Sequence, residues 1–148
     1  MDILPTTPLT IIVVEDNPVD VYLIRWVLTA HELSYTLHVI DNADHAMNYL
    51  DELGQQDRRA SPTIILLDLN LPQRDGRELL RRVRTIPDGS DICVVIVTGS
   101  INPADRQETL ALGANAYFVK PPHLNEFMQL GQLVKDLAFG NGREGVAH

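Results

Sequence analysis

The sequence predicts an α/β fold: a doubly wound, five-stranded parallel sheet with helices on both faces. Two observations carry that class. Short runs rich in Ile, Val and Leu recur at residues 9–14, 63–67, 92–97 and 116–119, and runs apolar at every position suit central parallel strands, which are buried on both faces. Between them lie longer segments with helical periodicity and helix punctuation, so strand and helix alternate along the chain.

The elements follow in order. "LTIIVV" (9–14) is the first strand. Asn17 as N-cap and Pro18 at the first helical position open a helix, with Val19, Leu23, Ile24, Val27 and Leu28 as its apolar stripe. "YTLHVI" (35–40) alternates Tyr35, Leu37 and Val39 with Thr36 and His38, the pattern of an edge strand or of one with a half-exposed face. Asn42 caps a second helix, in which Ala43, Met47, Leu50 and Leu53 share a face before Gly54 stops it. After "TIILL" (63–67) comes "GRELLRRVRTI", with Leu79, Leu80, Val83 and Ile86 inward and the arginines outward. "ICVVIV" (92–97) is the fourth strand; Asn102-Pro103 opens the next helix and Gly113 ends it. "AYFV" (116–119) leads to "LNEFMQLGQLVKDLAF", whose apolar side holds Leu124, Phe127, Met128, Leu130, Val134, Leu137 and Ala138. Gly131 within it is about 1 kcal/mol less favourable than Ala. Residues 1–8 read as a flexible N-terminus, 9–138 as one domain and 139–148 as a C-terminal tail.

Bulk properties narrow the function. A chain of 148 residues fits one domain of about 100–200 residues and buries enough surface to fold without a disulfide or metal staple. Its net charge of −8 argues against a general nucleic-acid binder, which carries a basic stripe; acidic clefts attract cations instead. Cys93 is the only cysteine and reads as a small buried hydrophobe; a single cysteine permits no internal disulfide, which suits a reducing cytoplasm. The start "MDILPTTPLT" lacks the basic start and apolar core of a signal peptide, and no apolar run approaches the ~20 residues that span a membrane. The expectation is a cytoplasmic protein with neither membrane nor nucleic acid as partner.

One residue interrupts the pattern. In "TIILLDLNLP", Asp68 stands in an otherwise apolar run, where an unpartnered buried charge would cost several kcal/mol. In doubly wound sheets the site lies beyond the carboxyl ends of the strands. Asp68 marks the end of its strand, so its carboxylate projects into that site. Reading past the other strands adds Glu15 and Asp16, Thr98, and Lys120 with Pro121. Each has a plain reading as well: an acidic helix start favoured by the dipole, a threonine of high β-propensity, a solvated lysine, a turn aspartate. Their position at one end of different strands favours a common site. Carboxylates gathered so closely repel one another, and a hard divalent cation such as Mg²⁺ relieves this. A carboxylate can attack a phosphoryl group, with Lys120 neutralising charge and the Thr98 hydroxyl donating to a phosphoryl oxygen. The Asn70 backbone carbonyl, two residues on, is a further candidate metal ligand, in a loop shaped by Pro72 and Gly76.

The motifs "VVEDN", "LLDLNLPQRDG", "VIVTGS" and "YFVKP" occur in order; 30 residues separate Asp68 from Thr98 and 22 separate Thr98 from Lys120. In these motifs the chain resembles the receiver domain of two-component response regulators over roughly residues 9–138. The resemblance implies the (βα)5 flavodoxin-like fold with strand order 2-1-3-4-5. It implies Asp68 as phosphoacceptor, Asp16 as a direct Mg²⁺ ligand and Glu15 as one acting through water, and Thr98 and Lys120 holding the phosphoryl group. It also implies a cis bond between Lys120 and Pro121, and Tyr117 as an aromatic switch that turns inward when Thr98 moves toward the phosphoryl group; the plain reading of Tyr117 is a strand aromatic packed on a helix.

The string "ILLDLNLPQRDGRELL" is similar to small regulators paired with phytochrome-type histidine kinases. That subgroup implies a histidine kinase donor, no output domain, and a homodimer through the last strand, last helix and tail. Output then runs through protein contact, including a histidine phosphotransfer protein as a recipient. The doubled proline of "KPPHL" and Gly99 after the threonine depart from the commonest pattern. No enzymatic activity on an outside substrate is expected beyond self-phosphorylation and self-dephosphorylation. A haloacid dehalogenase-like phosphatase is the alternative from another class, but the position of its general acid is Asn70 here, and the acidic pair precedes the nucleophile. A receiver-like module that takes no phosphate is a further alternative, disfavoured by the intact acceptor set.

Overall fold

A computed structural model describes residues 8–58, 61–72 and 74–140; most of the expected N-terminal segment and of the expected tail lies outside the described residues. The order is β1 (Leu9–Val14), α1 (Pro18–Ala30), β2 (Tyr35–Ile40), α2 (Ala43–Leu53), β3 (Thr63–Leu67), α3 (Gly76–Thr85), a 3-10 turn (Gly89–Asp91), β4 (Cys93–Thr98), α4 (Pro103–Ala111), β5 (Ala116–Val119) and α5 (Leu124–Phe139). The strands form one sheet in the order β2-β1-β3-β4-β5, all parallel, as expected. β4 starts and ends one residue later than the sequence predicts, which makes Thr98 its last residue.

The pleat sorts the side chains into two cores. Leu9, Ile11 and Val13, Ile64 and Leu66, Cys93, Val95 and Val97, and Ala116 and Phe118 face one side, where α1 and α5 cover them. Ile12 and Val14, Ile65 and Leu67, Val94 and Ile96, and Tyr117 face the other, under α2 and α3. Burial of both faces accounts for the uninterrupted apolar runs. β2 is an edge strand, as its alternation predicts.

Asn17, Asn42 and Asn102 cap α1, α2 and α4 through their side-chain oxygens, and Asp75, unassigned from sequence, caps α3. α1 departs from its predicted face. Val19 is 65 % exposed, whereas Ile24, Val27 and Leu28 are buried; the inward stripe begins at Asp20, four residues before Ile24, and not at Val19. Leu124, expected inward on α5, is 48 % exposed.

Gly131 explains itself through α1. A Cβ there would come within 2.6 Å of His31 Cε1 and 2.8 Å of Cγ, so the glycine is the notch that receives the imidazole capping α1, whose Nδ1 lies 2.9 Å from the Val27 carbonyl oxygen.

Candidate functional site

Backbone ladders fix the residues at the strand ends. Glu15 N–H donates to the Ile40 carbonyl at 3.0 Å, Asp68 N–H to Val14 at 3.1 Å and Lys120 N–H to Thr98 at 2.7 Å. The hydrogen bonding of the sheet therefore continues through all three, and their side chains project from rigid backbone. Past Asp68 the loop folds back: Asn70 N–H donates to Asp68 Oδ1 at 3.1 Å, Asn70 pairs with Asp75, and Gly76 N–H reaches the Leu69 carbonyl at 3.1 Å. Gly76 is required here. A Cβ on it would lie 2.6 Å from the Asp68 carbonyl oxygen and 2.9 Å from Leu69 Cα, so α3 starts directly against the backbone that carries Asp68.

Lys120 is the hub. Its Nζ donates to Glu15 Oε1 at 2.6 Å, to Asp20 Oδ2 at 2.7 Å and to Asp68 Oδ2 at 3.2 Å. Burial alone would lower the lysine's pKa; its bonds to Asp20 and Glu15 and the charge of Asp68 outweigh that and hold it above the ordinary lysine value. Glu15, 2 % exposed, has its carboxyl pKa pushed up to about 7, chiefly by burial and also by the charge of Asp68, against the pull of Lys120. Oxygens of Glu15, Asp16 and Asp68 all lie within 4.8 Å of one another. Three oxygen donors at that spacing fit one small hard cation. Asp16 is exposed and Asp68 buried, and an open cleft of about 200 Å³ beside them is lined by Glu15, Asp16, Pro18, Val21, Val39 and Asp41.

Thr98 and Tyr117 lie across the sheet from this cluster. The Thr98 hydroxyl accepts from Ser100 N–H at 3.4 Å and faces the Asn70 side-chain amide at 3.5 Å. Tyr117 is 1 % exposed, its hydroxyl donates to the Ser100 carbonyl at 3.0 Å, and the Arg106 guanidinium sits 5.7 Å from its ring centre. The ring expected to turn inward on phosphorylation is already inward, because Ser100 satisfies its hydroxyl and α4 covers its face. Ser100 in turn donates to Asp105, which Arg77 of α3 holds in an ion pair.

The Lys120–Pro121 bond corrects an expectation: no described peptide is cis, so it is trans. The trans form is favoured by about 0.5–1 kcal/mol before proline, and with it Lys120 still reaches both Thr98 and the three carboxylates.

Sequence reasoning missed Asp20. Val19 drew the predicted stripe one residue aside and so turned Asp20 outward. The signal was present: Asp20 precedes Ile24 by four and Val27 by seven residues, the spacing of one helix face.

Comparison with known proteins agrees with this geometry. The response regulator receiver domain family matches residues 11–132. Response regulator Rcp1 of Synechocystis is 34 % identical over 125 residues, covering 84 % of this chain and 85 % of that protein. The phosphorylated cyanobacterial phytochrome response regulator RcpA superposes with a TM-score of 0.75 at 32 % identity, over 88 % of this chain and 94 % of its own. The Mn²⁺-bound form of Rcp1 gives a TM-score of 0.75 at 32 % identity, over 90 % and 96 %. From the first strand into the last helix, sequence and architecture agree, and the chain belongs to the response regulator receiver domains.

Proposed function

We propose that this receiver accepts a phosphoryl group on Asp68 from a histidine kinase of phytochrome type, in a Mg²⁺-dependent reaction, and signals through the surface around β4, α4 and β5. The observation that carries the proposal is the buried Asp68 carboxylate held between Asn70 N–H and the Lys120 ammonium, beside Glu15 and Asp16. Phytochrome pairing is supported by the similarity to Rcp1 and RcpA.

The Asp68 carboxylate attacks the donor's phosphorus. An O–P bond forms as the N–P bond of the phosphohistidine breaks, and the bonding pair leaves with the donor imidazole. Glu15, Asp16 and Asp68, with the Asn70 carbonyl, would hold Mg²⁺, which supplies charge neutralisation at the phosphoryl oxygens. Lys120 offsets charge from the opposite side and Thr98 donates its hydroxyl. About two negative charges arrive. Thr98 is drawn from Ser100 N–H toward them, and because Tyr117 hangs on the Ser100 carbonyl, the start of α4 responds. Phosphorylation then stabilises the inward Tyr117 rather than creating it.

The reading extends to a homodimer through β5, α5 and residues 139–148, supported by the exposed Leu124, to a histidine phosphotransfer protein as recipient, and to a cytoplasmic location, consistent with a lone cysteine. No described helix is long and apolar enough to cross a membrane.

Intact-mass analysis after incubation with acetyl phosphate, with and without Mg²⁺, tests the chemistry. A single Mg²⁺-dependent phosphoryl adduct, absent from Asp68→Asn, is the expected result. No adduct on a folded protein from either this donor or a phytochrome-type kinase would refute it, and equal output from Asp68→Asn would refute the switch.

A further inference from the structure

Lys120 and a divalent cation compete for two of the same carboxylates. The ammonium contacts Glu15 and Asp68, two of the three carboxylates that converge on the candidate cation position. Asp20 provides its third contact, at 2.7 Å, yet is not among those three. It also comes from a different element. Glu15 and Asp68 extend strands, whereas Asp20 occupies the inward stripe of α1, where an apolar side chain would continue the row of Ile24, Val27 and Leu28. A carboxylate in such a place needs a partner, and the ammonium is that partner.

We infer that Asp20 is a positioning residue: it draws the Lys120 ammonium toward α1 and thereby leaves Glu15 and Asp68 to the cation. The inference rests on reading Glu15, Asp16 and Asp68 as the cation site. Without Asp20 the ammonium has only those two carboxylates to bind, and an incoming Mg²⁺ must displace it from both. With Asp20 present it keeps a strong contact while ceding them. Asp20 also adds negative charge near the cation, so a loss of affinity on its removal does not by itself distinguish positioning from through-space attraction. Removing the lysine does.

The test is Mg²⁺ titration of the full chain by calorimetry and by amide NMR shifts, with no phosphodonor present. Asp20→Asn is expected to weaken Mg²⁺ binding about tenfold, or about 1.4 kcal/mol, and Asp20→Glu to restore most of it. In a Lys120→Met background the same Asp20→Asn change is expected to alter affinity less than about twofold, since no ammonium remains to be placed and the two sites no longer couple. The ¹⁵N resonance of Lys120 Nζ in metal-free protein is expected to shift in Asp20→Asn and to stay near its original position in Asp20→Glu, an independent reading should Asp20→Asn fold poorly. An equal loss in both backgrounds, or an Asp20→Asn protein that binds Mg²⁺ as tightly as the unsubstituted chain, would overturn the inference while leaving the cation site standing. An unsubstituted chain that binds no Mg²⁺ would overturn the site itself, and the inference with it.

Discussion

Replacing Glu15 by Gln separates what the acid cluster does for chemistry from what it does to the fold. The Glu15 carboxyl titrates near 4.5 in the unfolded chain and at about 7 in the folded one, burial being the main cause. A folded-state value above the unfolded one means that the native state binds the proton more tightly. The stabilising contribution is therefore complete below about pH 4.5 and is lost as pH rises through about 7. At about 1.4 kcal/mol per pH unit, that gap corresponds to roughly 3 kcal/mol. Glutamine mimics the neutral carboxyl in shape, and Lys120 keeps Asp20 and Asp68. In a chelator-containing buffer, Glu15→Gln is thus expected to be more stable than its parent by up to roughly 3 kcal/mol at pH 8, with the difference vanishing near pH 4.5. Urea unfolding at a series of pH values measures it, and groups that titrate alike in both proteins cancel in the difference. A gap that is constant with pH, or one that grows toward acid, would refute the reasoning. Saturating Mg²⁺ is expected to close the gap from the other side, because a ligand that binds only the native parent stabilises it.

Gly76→Ala forces a methyl against the Asp68 and Leu69 backbone; overpacking of this kind costs about 1–3 kcal/mol. Thermal unfolding should read that loss, and the yield of acetyl-phosphate adduct should fall with it. Gly131→Ala sets the better helix propensity of alanine, about 1 kcal/mol, against displacement of the His31 ring. It is expected to destabilise the parent but to stabilise a His31→Ala background, and the same sign in both by urea titration would show that His31 does not fill the notch. Arg84 donates to the carbonyls of Gly89, Ile92 and Gly113 and to Asn115 Oδ1. Arg84→Met removes all of these bonds, although Gly89 and Asn115 keep the N–H groups of Ile92 and Val94; at about 0.5–1.5 kcal/mol per hydrogen bond lost it is expected to lower the urea midpoint more than an exposed arginine replacement such as Arg81→Met.

Most of the fold was legible because its cues are local. Three Asn caps, two of them before proline, start three helices at the predicted residues, and apolar runs mark central strands to within one residue. The candidate site was legible for a topological reason: strand ends in a parallel sheet share one edge, so Glu15, Asp16, Asp68, Thr98 and Lys120 could be grouped before any distance was known. What escaped depends on rotation and on tertiary partners. Asp20 was lost through one residue of error in the face of α1, about 100° of turn. The inward ring of Tyr117 depends on a carbonyl seventeen residues away. The trans bond before Pro121 and the role of Arg84 leave no periodic trace either, since each is decided by which backbone groups arrive from elsewhere.

The alternation that seals the two cores has an evolutionary consequence. Counting by twos beyond the strands carries Val13 to Glu15, Leu66 to Asp68 and Phe118 to Lys120, all on the α1–α5 side, while Ile96 leads to Thr98, on the side where Tyr117 lies. Glu15, Asp68 and Lys120 thus lie on one side of the sheet, and Thr98 and Tyr117 on the other. Under the proposed mechanism, substitutions around the acceptor and substitutions around the signalling surface fall in different helix layers, and a lineage can accumulate either kind without undoing the other. Thr98 serves both in that mechanism, which makes it the position with the least freedom to drift.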